Sequence, residues 1–476
     1  MKNSNGKLDR RSILALLTAG TAGELFVGSS TAAQAVTLDR PREVIVVGGG
    51  MAGTTAAKYL KLWSAAGAGA LNVTLVISDP KYTSNIMSNK VLTGQKTLAE
   101  LEYGYDGLVA LGVKIVVGQV GSVDTAAKKI VLSSGDFAGS TEKAYDRLIL
   151  APGVDFVYKS STGAANDDIQ FVNMTAEQAP DLLPHAWKAG PSTANLRNQL
   201  LGLTNGNNVI ITIPKAPYRC PPGPYERVCV VAEWLRNNKP ASKLIVLDEN
   251  PKVIVEPLSF GNALSNTYAS NVSYFPGASL ATVTYNSGTD KSVTLRNAVQ
   301  LTNALTNVKS GPEISQFSAE VVNLIPQQRA GKIVIDTLQD KLDASGRWAP
   351  IDELSYEVKG LPAVHVIGDA ISSAQPKAGH IGNQEAKVCA DAILRMEFTP
   401  VGAPYAKPVT NSACYTPISA TTATWLTAVF AYDTNLQKMV LVDPPGVVEP
   451  SGGVPTTTAY SQMNKWFAGL MEDAFG

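Results

Sequence analysis

The chain has 476 residues, 40 basic and 40 acidic side chains and 45% hydrophobic residues. That length suggests about three domains of ~150 residues, and the balanced charge offers no field to draw nucleic acid or an anionic membrane surface. Four cysteines in such a length exclude a disulfide scaffold and leave room for one specific pair.

The first stretch reads as a targeting segment. Asp9-Arg10-Arg11-Ser12-Ile13-Leu14 opens a small-residue apolar run that ends at Ala33-Gln34-Ala35, a pattern of export-signal cleavage. Paired arginines before a moderately apolar core predict the twin-arginine route and a periplasmic location. No other run approaches the ~18 apolar residues of a membrane span.

Glu43–Val47 is a buried parallel-type strand, continuous in β-branched residues. Gly48-Gly49-Gly50-Met51-Ala52-Gly53 follows, and then a helix over Thr54–Trp63. Glycines at 48, 50 and 53 give G-x-G-x-x-G between a strand and a helix, which predicts a dinucleotide pyrophosphate on the helix N-terminus. The next strand, Asn72–Ile77, leads to Ser78 and Asp79, two candidates for the ribose contact between which the sequence does not choose. A strand from Tyr145 ends in the turn Ala151-Pro152-Gly153, and Val364–Ala370 is a strand whose terminal Gly368-Asp369 can meet a ribityl or pyrophosphate group.

Between these lies an inserted segment. The strand Asn208–Pro214 runs into Tyr218-Arg-Cys-Pro-Pro-Gly-Pro-Tyr-Glu226, and a helix over Tyr225–Asn238 runs out of it. A nicotinamide-binding domain would place a second glycine-rich turn there. Prolines fill the turn instead, and they carry a cysteine and a glutamate. A strand over Lys243–Leu247, a hairpin of Ala281–Tyr285 and Ser292–Leu295, and Val321–Ile325 complete the insert. A helix over Asn383–Met396 follows; then come a proline-punctuated segment, strand-like runs at Trp425–Tyr432 and Lys438–Val442, and a terminal amphipathic helix over Ser461–Phe475.

Cys229 and Cys389 fall on apolar helices and read as small core residues. Cys220 and Cys414 fall in proline-punctuated loops. Their residue types alone leave open a redox disulfide, a static disulfide or two thiols, and a reduced pair could hold a soft ion such as Cu(I). Glu226 at a helix start is either a favourable charge on the dipole or a proton acceptor beside Cys220. His185, His365 and His380 are too scattered for a metal cluster, and without Cys-x-x-Cys-His the chain carries no c-type haem.

Several stretches together resemble the flavoprotein subunit of flavocytochrome c sulfide dehydrogenase: the Gly48–Gly53 turn, Gly104–Leu108, Leu183–Gly190, Arg219–Arg227, Asn323–Gly331, His365–Asp369, Asn411–Tyr415 and the ending Asp473–Gly476. The resemblance covers about Val44 to Gly476. It implies an α/β fold like glutathione reductase, with an FAD-binding domain over 41–156 and 325–399, a second Rossmann-like domain without an NAD site over 157–324, and a C-terminal α+β interface domain over 400–476, after a signal peptide over 1–35. It also implies a Cys220–Cys414 redox disulfide beside the flavin, Glu226 as acid/base, sulfide as substrate and a c-type cytochrome, bound or soluble, as acceptor. The family often links FAD through a cysteine in a stretch that here reads Ser84-Asn-Ile-Met-Ser-Asn89. No cysteine precedes Cys220, so non-covalent FAD is expected, held by Gly48, Gly50, Met51, Ala52, Gly53, Ser78 or Asp79, Ala151, Pro152, Gly153, Gly368 and Asp369. Competing expectations are a sulfide:quinone oxidoreductase, a non-catalytic FAD-binding assembly protein and, most distant, a nicotinamide-dependent disulfide reductase; association with a second copy of the chain is left open.

Overall fold

The computed structural model describes residues 40–64, 71–158, 169–398, 407–443 and 446–476. The export signal read over residues 1–35 lies outside them.

Five parallel strands build the first sheet, in the order Val364–Val366, Arg147–Leu150, Arg42–Val47, Leu71–Ile77, Lys114–Val117. Val44, Ile45 and Val46 are fully buried, which is why this strand reads as an unbroken β-branched run rather than an alternation. The register aligns the strand ends. Val47 stands opposite both Val76 and Leu150, and Val366 opposite Leu150. The turns that follow therefore emerge side by side at the carboxyl edge, where open α/β sheets bind ligands. The helix Met51–Ser64 packs on the later helix Gly379–Phe398. Both begin earlier than the sequence suggested, at Met51 rather than Thr54 and at Gly379 rather than Asn383, because apolar periodicity fades over a glycine-rich first turn.

A second parallel sheet runs Val272–Pro276, Leu244–Asp248, Val209–Ile213, Val321–Asn323. The chain enters this region along Val154–Val157 and returns along Gln327–Ala330, and these two passages pair antiparallel. The expected hairpin is larger than its sequence signal. Leu280–Ser287 and Asp290–Thr302 pair through a tight turn, Lys309–Ala319 adds a further antiparallel strand, and Gln170–Val172 flanks the other edge. Lys309–Ala319 escaped notice because most of it is exposed and polar.

The C-terminal part is an antiparallel sheet of Val409–Pro417, Ala423–Asp433, Lys438–Leu441 and Val447–Val448, followed by the helix Thr457–Phe475. Thr456 caps that helix, its side chain accepting from the Ala459 amide. Met463, Phe467, Leu470, Met471, Ala474 and Phe475 recur at helical spacing and join the hydrophobic cluster of the first sheet, so the terminal helix is core to it. One expectation is corrected. Cys414 lies within the strand Val409–Pro417, opposite Leu426, and not in a loop. Alternating Thr410, Ser412 and Thr416 are buried there, so a polar inward face hid the strand.

Candidate active site

The first sheet's turns make one wall of a cleft of about 1320 Å³. Gly48 takes φ +116°, and a Cβ there would lie 2.2 Å from the Ala151 carbonyl oxygen; a Cβ on Gly53 would lie 1.9 Å from Gly48 O. The first and third glycines thus let the Gly48 turn nest against the Ala151 turn. Gly50 differs: a Cβ there meets nothing nearer than Tyr82 at 3.9 Å, so its bare backbone faces the open cleft. Gly48, Gly50, Met51, Ala52, Ser78, Asp79, Ala151, Pro152, Gly153, Gly368 and Asp369 all line the cleft, while Gly53 packs behind the lining. Ser78 Oγ donates to Asp79 Oδ2 at 2.8 Å at the exposed rim. Arg219 Nη2 is buried without a hydrogen-bond partner in a residue that opens onto the cleft, an orphan donor of the kind a bound anion satisfies. An open backbone approach, a helix N-terminus and an orphan guanidinium N–H fit a dinucleotide.

The opposite wall comes from the second sheet and the C-terminal strand. Ile213 leads into the proline loop, and the helix Gly223–Asn238 leaves it. Cys220 sits in the turn with φ +57°, a conformation that L side chains rarely adopt, and its amide donates to the Lys377 carbonyl at 2.6 Å. Gly223 has no room for a Cβ, which would lie 2.9 Å from Cys220 Sγ and 2.8 Å from the Trp187 ring. Cys220, Glu226 and Cys414 line the same cleft as the glycine turn. All four cysteines are free thiols in the structure. Burial pushes the Cys220 thiol up to about 12, with the Glu226 charge adding to the effect. Cys414 is raised too, by burial first and then by Cys220. Such a site disfavours two thiolates at once. Cys229 and Cys389 are fully buried, as core residues should be.

Glu226 does not stand alone. Asn89 donates from Nδ2 to Glu226 Oε1 at 2.9 Å, and the Arg227 Nε donates to Asn89 Oδ1 at 2.9 Å. Burial raises the Glu226 carboxyl to about 7, against the pull of Asn89, Lys90 and Arg227. That puts it at the poise of a general base working near neutrality. Arg227 is 1% exposed. It also donates to the His185 and Ala186 carbonyls and to Asn323 Oδ1, and it lies over the Trp187 ring at 4.7 Å. Three stretches distant in sequence, Leu183–Gly190, Arg219–Arg227 and the start of Asn323–Gly331, meet around this guanidinium. Sequence reasoning missed Arg227 and Asn89. A basic residue directly after the glutamate, inside an apolar helix, was the available signal.

Asp248 ends the second strand of the second sheet, the position that meets a nicotinamide cofactor's ribose in a doubly wound fold. Here it is fully buried and accepts from Tyr225 Oη and Tyr274 Oη, both at 2.8 Å. Among the described residues no group of His, Cys, Asp and Glu has the arrangement of a metal site, and no helix is long and apolar enough to cross a membrane.

Two family models match the chain. Residues 42–183 match the pyridine nucleotide-disulphide oxidoreductase model, and residues 193–326 match the central region of the sulfide dehydrogenase [flavocytochrome c] flavoprotein chain. Among solved structures, the sulfide:quinone oxidoreductase of the hyperthermophilic bacterium Aquifex aeolicus aligns with a TM-score of 0.63 at 13% identity, over 91% of each chain. The water-forming NADH oxidase from Lactobacillus brevis aligns at 0.53 and 13% identity, again over 91% of each chain. NDH2 from Plasmodium falciparum aligns at 0.51 and 10% identity, over 81% of this chain and 90% of that one. At these identities the likeness is one of fold, two dinucleotide-type domains in an α/β chain. Family models and cleft agree: this chain is an oxidoreductase of the FAD-dependent pyridine nucleotide-disulfide oxidoreductase family.

Proposed function

We propose that the protein oxidises hydrosulfide to sulfur or polysulfide and passes the electrons to a c-type cytochrome. One observation carries the reading: Cys220, Cys414 and Glu226 line the cleft that the glycine turn opens into. The match of residues 193–326 to the flavocytochrome c sulfide dehydrogenase model supports it. So do the prolines that stand where a second glycine-rich phosphate turn would sit and the two tyrosines that engage Asp248.

In this reading Cys220 and Cys414 cycle between thiols and a disulfide. Hydrosulfide attacks one sulfur, the S–S bond breaks, and the products are a persulfide on one cysteine and a thiolate on the other. Glu226, near neutrality, accepts the persulfide proton. Arg227 acts through Asn89 by holding the Glu226 carboxylate in place, while Trp187 and Gly223 press the Cys220 turn into shape. The Gly48–Gly53, Ala151–Gly153 and Gly368–Asp369 turns would hold FAD non-covalently, and it would supply two-electron oxidation coupled to one-electron release. The protein works in the periplasm after twin-arginine export, carries no haem of its own, and meets the cytochrome as a bound subunit or a soluble protein. Association with a second copy of the chain is compatible with this scheme, and copper at the cysteine pair is not needed by it.

The alignment with the Aquifex sulfide:quinone oxidoreductase favours one alternative acceptor, a quinone. Anaerobic mixing with sulfide, followed by cytochrome c or a water-soluble quinone, separates the two. Cytochrome reduction at the faster rate supports the proposal, and faster quinone reduction replaces it. A flavin band that sulfide never bleaches, with FAD bound, leaves the non-catalytic reading.

A further inference from the structure

Behind the cysteine strand lies a polar chain that the chemistry above does not use. Thr416 lines the cleft two residues after Cys414, and its Oγ1 donates to Glu256 Oε1 at 3.2 Å. The other oxygen, Glu256 Oε2, is buried with no hydrogen-bond partner. The Thr424 hydroxyl stands beside this carboxyl. Ser259 Oγ donates to Glu449 Oε2 at 2.8 Å, which leaves Thr424 Oγ1 as the donor to Ser259 Oγ at 2.9 Å. Glu256, Thr416 and Ser259 are each 1% exposed and Thr424 is 0% exposed, whereas Glu449 reaches the surface. The row therefore runs from the cleft through the protein to solvent. Apolar residues would join the C-terminal sheet to the helix Pro257–Asn262 at less cost than a buried carboxyl with one oxygen unpaired. Glu256 is also held at φ +45°, which a non-glycine residue adopts only when its surroundings impose it.

We propose that Thr416, Glu256, Thr424, Ser259 and Glu449 form a proton exit route from the cleft to the surface. The proposal rests on the sulfide-oxidation reading, in which each hydrosulfide oxidised to sulfur surrenders two electrons and one proton. The electrons leave to the cytochrome, and the persulfide proton, first taken by Glu226, must then leave the cleft. A proton arriving at Thr416 Oγ1 releases that hydroxyl's own hydrogen to Glu256. Glu256 passes one to Thr424, Thr424 to Ser259, and Ser259 to the Glu449 carboxylate. One proton enters, one leaves, and every hydroxyl is restored. The titratable groups around Glu256 are Glu449, Glu226, Cys229 and Cys414. Burial, reinforced by Glu449 and Glu226, raises its carboxyl to about 8, so it takes up and releases a proton near neutrality.

Two experiments test the route. In weakly buffered solution with a pH-indicator dye, sulfide added to the FAD-loaded protein with oxidised cytochrome c should release about one proton per sulfide. Glu256→Gln and Ser259→Ala should slow that release at least tenfold relative to the cysteine-opening step, while binding of FAD is unchanged. Release as fast as in the wild type in both variants overturns the route. If the wild type releases no proton because it does not oxidise sulfide, the parent reading has failed and infrared spectroscopy decides the route alone. A neutral carboxylic C=O band absent from Glu256→Gln identifies Glu256, and its shift in deuterated buffer follows proton exchange with solvent. In a Thr416→Val background, which closes the cleft side, Ser259→Ala should slow that exchange at least tenfold. Unchanged exchange, or no band that depends on Glu256, contradicts the route.

Discussion

Asn89 donates to the Glu226 carboxylate at 2.9 Å while its own oxygen takes a hydrogen bond from the buried Arg227. One amide thus ties an acid that opens on the cleft to a guanidinium inside the protein. Replacing Asn89 by Leu removes a bond that favours the charged form of Glu226. The carboxyl, already at about 7, should then rise, and the pH optimum of sulfide oxidation should move to higher pH. A pH–rate profile of Asn89→Leu checks this, and an unmoved optimum would separate Glu226 from the rate.

Glu226 itself has a folded-state value raised from 4.5 to about 7. The folded state therefore binds the proton more tightly than the unfolded chain. The stability that this provides is complete below about 4.5 and is lost as pH rises through about 7. Glu226→Gln should abolish this component, leaving the variant more stable than wild type at pH 8 by about 3 kcal/mol while turnover falls by roughly 10²-fold or more. Denaturant titrations at pH 5 and pH 8, beside rate measurements, read both effects.

Arg227 makes its contacts with two asparagines, two carbonyls and an indole ring at 1% exposure. Arg227→Met strands the Asn89 and Asn323 oxygens in a dry site. A loss of roughly 3–5 kcal/mol is expected for removing one member of such a buried network. Thermal or denaturant unfolding measures it, and Arg227→Lys, which cannot span the same fork of acceptors, should recover less than half.

The glycine turn separates fold from cofactor. Gly48→Ala would place a Cβ 2.2 Å from Ala151 O at φ +116° and should prevent folding of the first sheet's edge. Gly50→Ala meets only Tyr82 at 3.9 Å. It should leave the melting temperature of the cofactor-free protein unchanged but weaken FAD binding at least tenfold, because its methyl group occupies the backbone approach to the pyrophosphate. Fluorescence titration with FAD distinguishes the two variants.

The parallel strands were legible because burial on both faces writes itself as unbroken Val, Ile and Leu runs, as in Val44–Val47 and Val209–Ile213. The glycine turn was legible because its spacing encodes backbone contacts. The strand Val409–Pro417 was not, since its buried face is threonine and serine, and the threonines' partners lie on distant segments: Thr410 on Gln375, and Thr416 on Glu256. The same reason concealed the site's supporting residues. Asn89 and Arg227 are 138 positions apart, and nothing local in either stretch announces that they meet. Cys220 and Glu226 stood out because a proline-filled turn is a poor place for either residue without a task.

In the proposed scheme Cys220 and Cys414 act as a redox pair in contact with FAD and sulfide. The most direct measurement is an anaerobic titration of the FAD-loaded protein with sulfide, followed by its flavin absorbance, in wild type and Cys220→Ser. A working redox pair gives bleaching in the wild type, recovery on addition of cytochrome c, and in Cys220→Ser a bound flavin whose band stays oxidised. Equal bleaching and full turnover in Cys220→Ser would contradict it.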